Sequence, residues 1–166
     1  MAKTVKKFTT VDDLFKELSI INPFSTNTFG EDETYKNDNY IDSGNWILNA
    51  ALSGSIKKGF PSKKIISLVG ESGSGKTFLT LNAIYNAQQE GFSPIYVDTE
   101  GAIDPESCEK FGIDLDNFLY VPMSDLEKVK TYFAVFIKGL IELKLKNKKF
   151  PNYIFVLDSV GMLASS

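Results

Sequence analysis

Two side chains are missing from this chain altogether: among its 166 residues there is no histidine and no arginine, so all 18 basic residues are lysines. Without histidine no Ser-His or Cys-His nucleophile can be assembled. Without arginine the chain supplies no arginine finger and no planar fork to clamp a phosphoryl group. Cysteine is nearly as scarce. Cys108 stands alone, which excludes an internal disulfide, and no CxxC or Cys/His group suggests zinc, so a reducing cytoplasm is the expected compartment. No uninterrupted apolar run approaches the roughly 18 residues that cross a bilayer, and residues 1–10 hold Lys3, Lys6 and Lys7 without an apolar stretch behind them. Neither a membrane span nor a signal peptide is expected.

What is present suits one globular domain: 43% of the residues are apolar and 23% charged, enough to bury a core. The net charge of −3 argues against a uniformly basic nucleic-acid-binding surface and leaves a local basic groove open. Residues 10–20 open with Thr10-x-x-Asp13 and place Val11, Leu14, Phe15 and Leu18 on one face, which predicts a short amphipathic helix. The stretch 21–42 is rich in Asn, Thr, Ser and acid and reads as a linker. Residues 1–42 are thus expected to form an N-terminal arm, either a floppy terminus or a segment that docks on a neighbouring subunit, and 43–166 the core.

In the core, apolar runs alternate with helical stretches. Strands are expected at 65–69, 94–98, 117–121 and 153–157, and helices at about 75–90, at 105–111 behind the cap Asp104, and from Ser124 onward. In the last of these, Ser124-Asp-Leu-Glu127 forms a capping box, and Leu126, Val129, Phe133, Phe136, Leu140 and Leu143 make a buried stripe. Continuous apolar strands separated by helices predict an α/β fold with a parallel sheet flanked by helices. Lys144, Lys146, Lys148 and Lys149 read as a solvated helix end, where positive charge suits the helix dipole, and are not assigned to DNA.

The chemistry starts at Gly70-Glu71-Ser72-Gly73-Ser74-Gly75-Lys76-Thr77, a full match to G-x-x-x-x-G-K-[ST] between an expected strand and an expected helix. Glycines let backbone N–H groups curl around phosphate oxygens, and the helix N-terminus adds partial positive charge. Lys76 is then placed for the β- and γ-phosphates of a nucleoside triphosphate, most simply ATP, and the Thr77 hydroxyl for Mg²⁺. Asp158 ends an apolar strand at the carboxyl edge of the sheet, where ligands of open α/β folds collect, and is the candidate metal carboxylate. Glu100 ends the 96–100 segment at the same edge and is preferred as general base. Asp98 points to the same side and is read equally well as a loop-bonded aspartate.

From about Trp46 to Ser166 these motifs, with Val97-Asp-Thr-Glu-Gly-Ala-Ile-Asp-Pro105, Phe111-Gly-Ile-Asp-Leu-Asp-Asn117 and Val156-Leu-Asp-Ser-Val160 in order, resemble the ATPase core of RecA recombinases. Asn49-Ala-Ala-Leu-Ser-Gly54 looks most like the bacteriophage strand-exchange branch. The resemblance implies a P-loop NTPase core, Glu100 as the catalytic carboxylate, Asp158 as the Walker B aspartate and Asp104 as an adenine contact. It also implies recombination and repair on single-stranded DNA, and filaments in which ATP sits between protomers and the arm packs on the next subunit. An aromatic that helps hold the adenine in that family falls at Ser107 here. The resemblance further implies that strands, two DNA-binding loops, a nucleotide sensor and trans-acting basic residues follow Ser166, which makes these residues the front of a core that stops after the Walker B strand. Two other readings stand beside it: a small-molecule kinase, disfavoured by the missing arginines, and a module that binds ATP or recombinase subunits without turnover.

Overall fold

The structure, a computed structural model, describes residues 10–21, 39–146 and 151–164. The chain divides into two compact units, 1–38 and 39–166. In the first, α1 (Val11–Ile21) forms where amphipathic spacing predicts it, and Thr10 Oγ1 accepts the Asp13 N–H at 3.2 Å, a side-chain cap. Most of the expected linker, together with Lys148 and Lys149, lies outside the described residues.

The second unit opens with a small layer: β1 (Tyr40–Ile41), α2 (Trp46–Ser53) and β2 (Phe60–Pro61), with β1 and β2 antiparallel. Asn45 caps α2 by accepting from the N–H groups of Ile47 and Leu48. Asn49, 0% exposed, is the pin of this layer. Its Oδ1 accepts from the Ser43 N–H at 3.0 Å and the Ser43 hydroxyl at 2.7 Å, and its Nδ2 donates to Asp42 Oδ1 at 2.8 Å and the Ile56 carbonyl at 3.0 Å. Two donors and two acceptors are all an amide side chain has, so burial leaves nothing unsatisfied. Gly59 passes directly over the network: a Cβ there would collide with the Ile41 carbonyl, Asn49 Oδ1 and the Ser43 nitrogen.

The main layer is α/β. After α3 (Lys76–Gln89) come β3 (Phe92–Asp98), α4 (Pro105–Lys110), β4 (Leu119–Pro122), α5 (Leu126–Leu145) and β5 (Asn152–Asp158). The three strands form a parallel sheet in the order β4-β3-β5. Central β3 is buried at six of its seven positions, which is why it reads as a continuous apolar run. Alternation sends Tyr96 and Val156 toward α3, where they pack with Leu81, Ile84, Cys108 and Ile113. Phe155 and Tyr153 face the other way, edge-on to Phe133 and Phe136 of α5 at 4.6 and 5.0 Å. Helices therefore cover both faces.

Three expectations are corrected. Residues 65–69 join no strand pairing, and Ile65 and Val69 are 103% and 92% exposed. Apolar β-forming residues favour extension, but a strand exists only where a neighbour takes its N–H and C=O groups, and no described segment does. The stripe on α5 is incompletely covered for a related reason: Val129 is buried, while Phe133 and Leu143 stay exposed over a sheet of three strands. The cap of α5 is Asp125, which accepts the Lys128 N–H at 3.1 Å, not Ser124. The Ser124 carbonyl instead receives the Ala164 N–H at 3.0 Å, which moves the helix start by one residue.

Because Gly59 has no room for a methyl group, Gly59→Ala must displace the Asn49 network. Urea unfolding is expected to show a loss of about 1–3 kcal/mol, against a gain of about 0.5–1 kcal/mol for Gly139→Ala, where a Cβ meets open space inside α5.

Candidate functional site

The carboxyl edge of the sheet collects the polar chemistry. Gly73 (φ 77°) and Gly75 (φ 87°) take left-handed backbone conformations, which L side chains rarely adopt, and turn the chain into α3. Gly75 is the N-cap of that helix and no side chain caps it, so its first N–H groups face outward with the positive end of the helix dipole. Lys76 bends back over the loop, its Nζ donating to the carbonyls of Gly70 at 3.0 Å and Glu71 at 2.9 Å. One residue on, Thr77 Oγ1 donates to Asp158 Oδ2 at 2.7 Å across 81 positions of sequence.

Asp158 and Asp98 stand opposite each other in the β3–β5 register, so two carboxylates end adjacent parallel strands. Each is held differently. Asp158 Oδ2 receives a second hydroxyl, that of Tyr96, at 2.7 Å. Asp98, 2% exposed, turns inward: its Oδ1 accepts the N–H groups of Glu100, Gly101 and Ala102 at 3.0, 2.7 and 3.3 Å, and its Oδ2 accepts the Tyr120 hydroxyl at 3.0 Å. Burial pushes the Asp98 carboxyl up, but the N–H groups of Glu100 and Ala102, the Tyr120 hydroxyl and the Gly101 N–H together outweigh it and hold it below the ordinary carboxylate value. Asp98 is thus the loop-bonded aspartate, and it shapes the turn that carries Glu100.

Glu100 is steadied from the other strand as well, its Oε1 accepting the Ser159 hydroxyl at 2.6 Å. Thr99 Oγ1 donates to the Ser159 carbonyl at 2.9 Å and accepts its N–H at 2.8 Å, and the Thr99 N–H reaches the Asp158 carbonyl at 2.9 Å. The β3–β5 ladder is thereby extended one step beyond the strands. Thr77, Asp158, Ser159 and Glu100 form a single hydrogen-bonded edge. Asp104 is placed elsewhere: it caps α4, accepting the Ser107 N–H at 2.9 Å and the Ser107 hydroxyl at 2.7 Å. The Ser107 hydroxyl, ahead of its N–H, lowers the Asp104 carboxyl.

Among the described residues no group of three or more His, Cys, Asp or Glu could cage a metal. Thr77 and Asp158 fit the cation that needs least from protein, because Mg²⁺ keeps water and phosphate oxygens as most of its ligands. Sequence reasoning missed Tyr96, Thr99 and Ser159. A tyrosine in an otherwise apolar buried strand was the available signal, since its hydroxyl must find a partner. Thr99 and Ser159 are ordinary strand-end residues and carried none.

A carboxylate depressed on folding adds stability that is complete above its unfolded value near pH 4 and is lost as pH falls through its folded value. Asp98→Asn is therefore expected to be less stable than the parent at pH 7, with the gap closing in acid. Paired urea midpoints at pH 7 and at about pH 3 check this, and a gap of constant size would contradict it.

The RecA N-terminal domain family matches residues 15–137, a span that includes the loop, Glu100 and Asp104 and ends within α5. Among curated proteins, the chain is 39% identical over 133 residues to a protein named RecA from Streptomyces venezuelae, covering 80% of this chain and 32% of that one. With the RecA of Streptomyces ambofaciens it shares 42% over 124 residues, 74% of this chain and 30% of the relative. With that of Leptospira biflexa it shares 38% over 90 residues, 54% and 22%. The chain spans about a third of the length of the Streptomyces relatives. No helix among the described residues is long and apolar enough to cross a membrane. A family match over most of the chain, running through the loop and Glu100 and ending before Asp158, shows that the chain belongs to the RecA N-terminal domain family.

Proposed function

We propose that this chain is the ATP-binding, DNA-dependent ATPase portion of a RecA-type recombinase that acts in the cytoplasm on single-stranded DNA in homologous recombination and repair. The observation that carries the reading is the bond from Thr77 to Asp158: it sets a hydroxyl and a carboxylate side by side where an uncapped helix N-terminus receives phosphate. In this reading the N–H groups from Gly70 to Thr77 cradle the phosphates, with Glu71, Ser72, Gly73, Ser74 and Gly75 forming the loop. Lys76 exchanges its two loop carbonyls for β- and γ-phosphate oxygens. Thr77 and Asp158 hold Mg²⁺, which neutralises charge on those oxygens when bound.

Glu100 is the proposed general base. Ser159 occupies its Oε1, and Oε2 accepts no hydrogen bond among the described residues, which leaves it for a water molecule. That water's oxygen attacks the γ-phosphorus, the bond to the β-phosphate oxygen breaks, and Glu100 takes the proton. Asp104 is proposed to meet the adenine, although Ser107 already occupies both of its oxygens, so an adenine amino group would have to share or displace them. Self-association into a filament through the N-terminal arm, DNA as partner, and the bacteriophage branch suggested by Asn49-Ala-Ala-Leu-Ser-Gly54 belong to the same proposal. A second reading, nucleotide binding without turnover, is favoured by the absence of arginine among these 166 residues, which leaves no planar fork to stabilise a transferring phosphoryl group.

Binding of the fluorescent analogue mant-ATP and phosphate release, each with and without single-stranded DNA, separate the two. Lys76→Ala is expected to weaken binding at least tenfold, about 1.4 kcal/mol or more. Glu100→Gln is expected to bind like the parent while losing about 100-fold or more in turnover. Phosphate release no faster than the protein-free background from both parent and Glu100→Gln, with or without DNA, supports the second reading, and undiminished binding by Lys76→Ala contradicts both.

A further inference from the structure

The sheet edge holds two tyrosines that the nucleotide chemistry does not by itself require. In register, Tyr120 stands opposite Tyr96, and Tyr96 opposite Val156; two residues on, Pro122, Asp98 and Asp158 are level. Residues two apart share a face of the sheet. Each hydroxyl reaches diagonally, one strand across and one side-chain repeat forward. Tyr120 of β4 meets Asp98 of β3, and Tyr96 of β3 meets Asp158 of β5. The same diagonal is thus used twice, and each of the two carboxylates that end β3 and β5 receives one phenol.

The two pairs serve different groups. Asp98 spends its other oxygen on three loop N–H groups, so Tyr120 completes a structural turn. Asp158 accepts both of its hydroxyls on Oδ2, and its Oδ1 accepts no hydrogen bond among the described residues. Tyr96 is 0% exposed, packed with Leu81, Ile84, Cys108 and Ile113 and tilted against Phe118 at 6.0 Å. A ring enclosed on all sides cannot swing, so its hydroxyl is a fixed point against which a carboxylate can be set.

We propose that Tyr96 is a positioning residue for the metal-associated carboxylate: its hydroxyl locks Asp158 so that Oδ2 takes the Thr77 hydroxyl and Oδ1 faces the water shell of a bound Mg²⁺. The inference rests on the Mg²⁺-nucleotide reading of the site. Groups that orient a metal's own ligands commonly govern metal affinity while touching neither metal nor substrate.

Tyr96→Phe removes one oxygen and keeps the ring. Mant-ATP binding to the 166-residue chain, titrated with Mg²⁺, is expected to show the Mg²⁺ half-saturation rise about tenfold while affinity without Mg²⁺ is unchanged. Tyr120→Phe is expected to leave the Mg²⁺ curve in place, and Tyr96→Phe should add nothing on an Asp158→Asn background, because the group it positions is gone. Coincident Mg²⁺ curves for parent and Tyr96→Phe overturn the proposal and spare the nucleotide reading. An equal shift in Tyr120→Phe, or a full additional shift on Asp158→Asn, also overturns it. Loss of secondary structure in Tyr96→Phe by circular dichroism assigns the hydroxyl to folding instead and overturns it too. Absence of any Mg²⁺-dependent binding in the parent overturns the nucleotide reading and this inference with it.

Discussion

The 2.7 Å bond between Thr77 and Asp158 is the constraint on which the site depends. It joins the first turn of α3 to the last residue of β5, so the helix that presents the loop and the strand that presents the carboxylate cannot shift independently. Packing prepares it: α3 lies on the face of the sheet that carries Tyr96 and Val156, with its own Ile84 and Ala87 fully buried. A hydrogen bond to a charged group contributes about 1.5–3 kcal/mol, less than the core around it, yet it decides where a hydroxyl and a carboxylate meet. The remaining bonds of the edge, Ser159 to Glu100 and Thr99 to Ser159, inherit their geometry from the same strand pair.

Adjacent parallel strands that both end in aspartate bring two negative charges together, a cost unless each is separately satisfied. The molecule divides the roles. Asp98 is buried and consumed by three N–H groups and a phenol, whereas Asp158 receives two hydroxyls on Oδ2, and its Oδ1 accepts no hydrogen bond among the described residues. One carboxylate builds the turn, and the other is the one proposed to act.

Much of this was legible in the sequence. The phosphate-loop pattern, the helix behind it, the Asp104 cap with Pro105 at the first turn, and the apolar strands ending in Asp98 and Asp158 follow from glycine placement, capping chemistry and burial on both faces of a sheet. The strand expected at 65–69 was not recoverable this way, because propensity describes a segment and pairing requires a partner. The cap of α5 slipped from Ser124 to Asp125 because the Ser124 carbonyl is engaged with Ala164, a contact no local pattern encodes. Tyr96 left only the hint of a hydroxyl in an apolar strand, because its partner lies on a diagonal of the register that exists only once strands are aligned, and Ser159 left none. Among the described residues no strand pairs with the outer side of β5, and that side and the exposed Ile65 and Val69 are the kind of surface that invites pairing or association.

The central proposal is that a metal-bound nucleotide is held beside the hydrogen-bonded Thr77–Asp158 pair. Paramagnetic broadening of amide resonances by Mn²⁺ in the presence of a non-hydrolysable ATP analogue tests it directly. The account predicts the strongest loss of signal at Thr77, Asp158 and Ser159, requiring the analogue and absent in Asp158→Asn. Broadening centred on Glu106 and Glu109 of α4, or indifferent to the nucleotide, would contradict it.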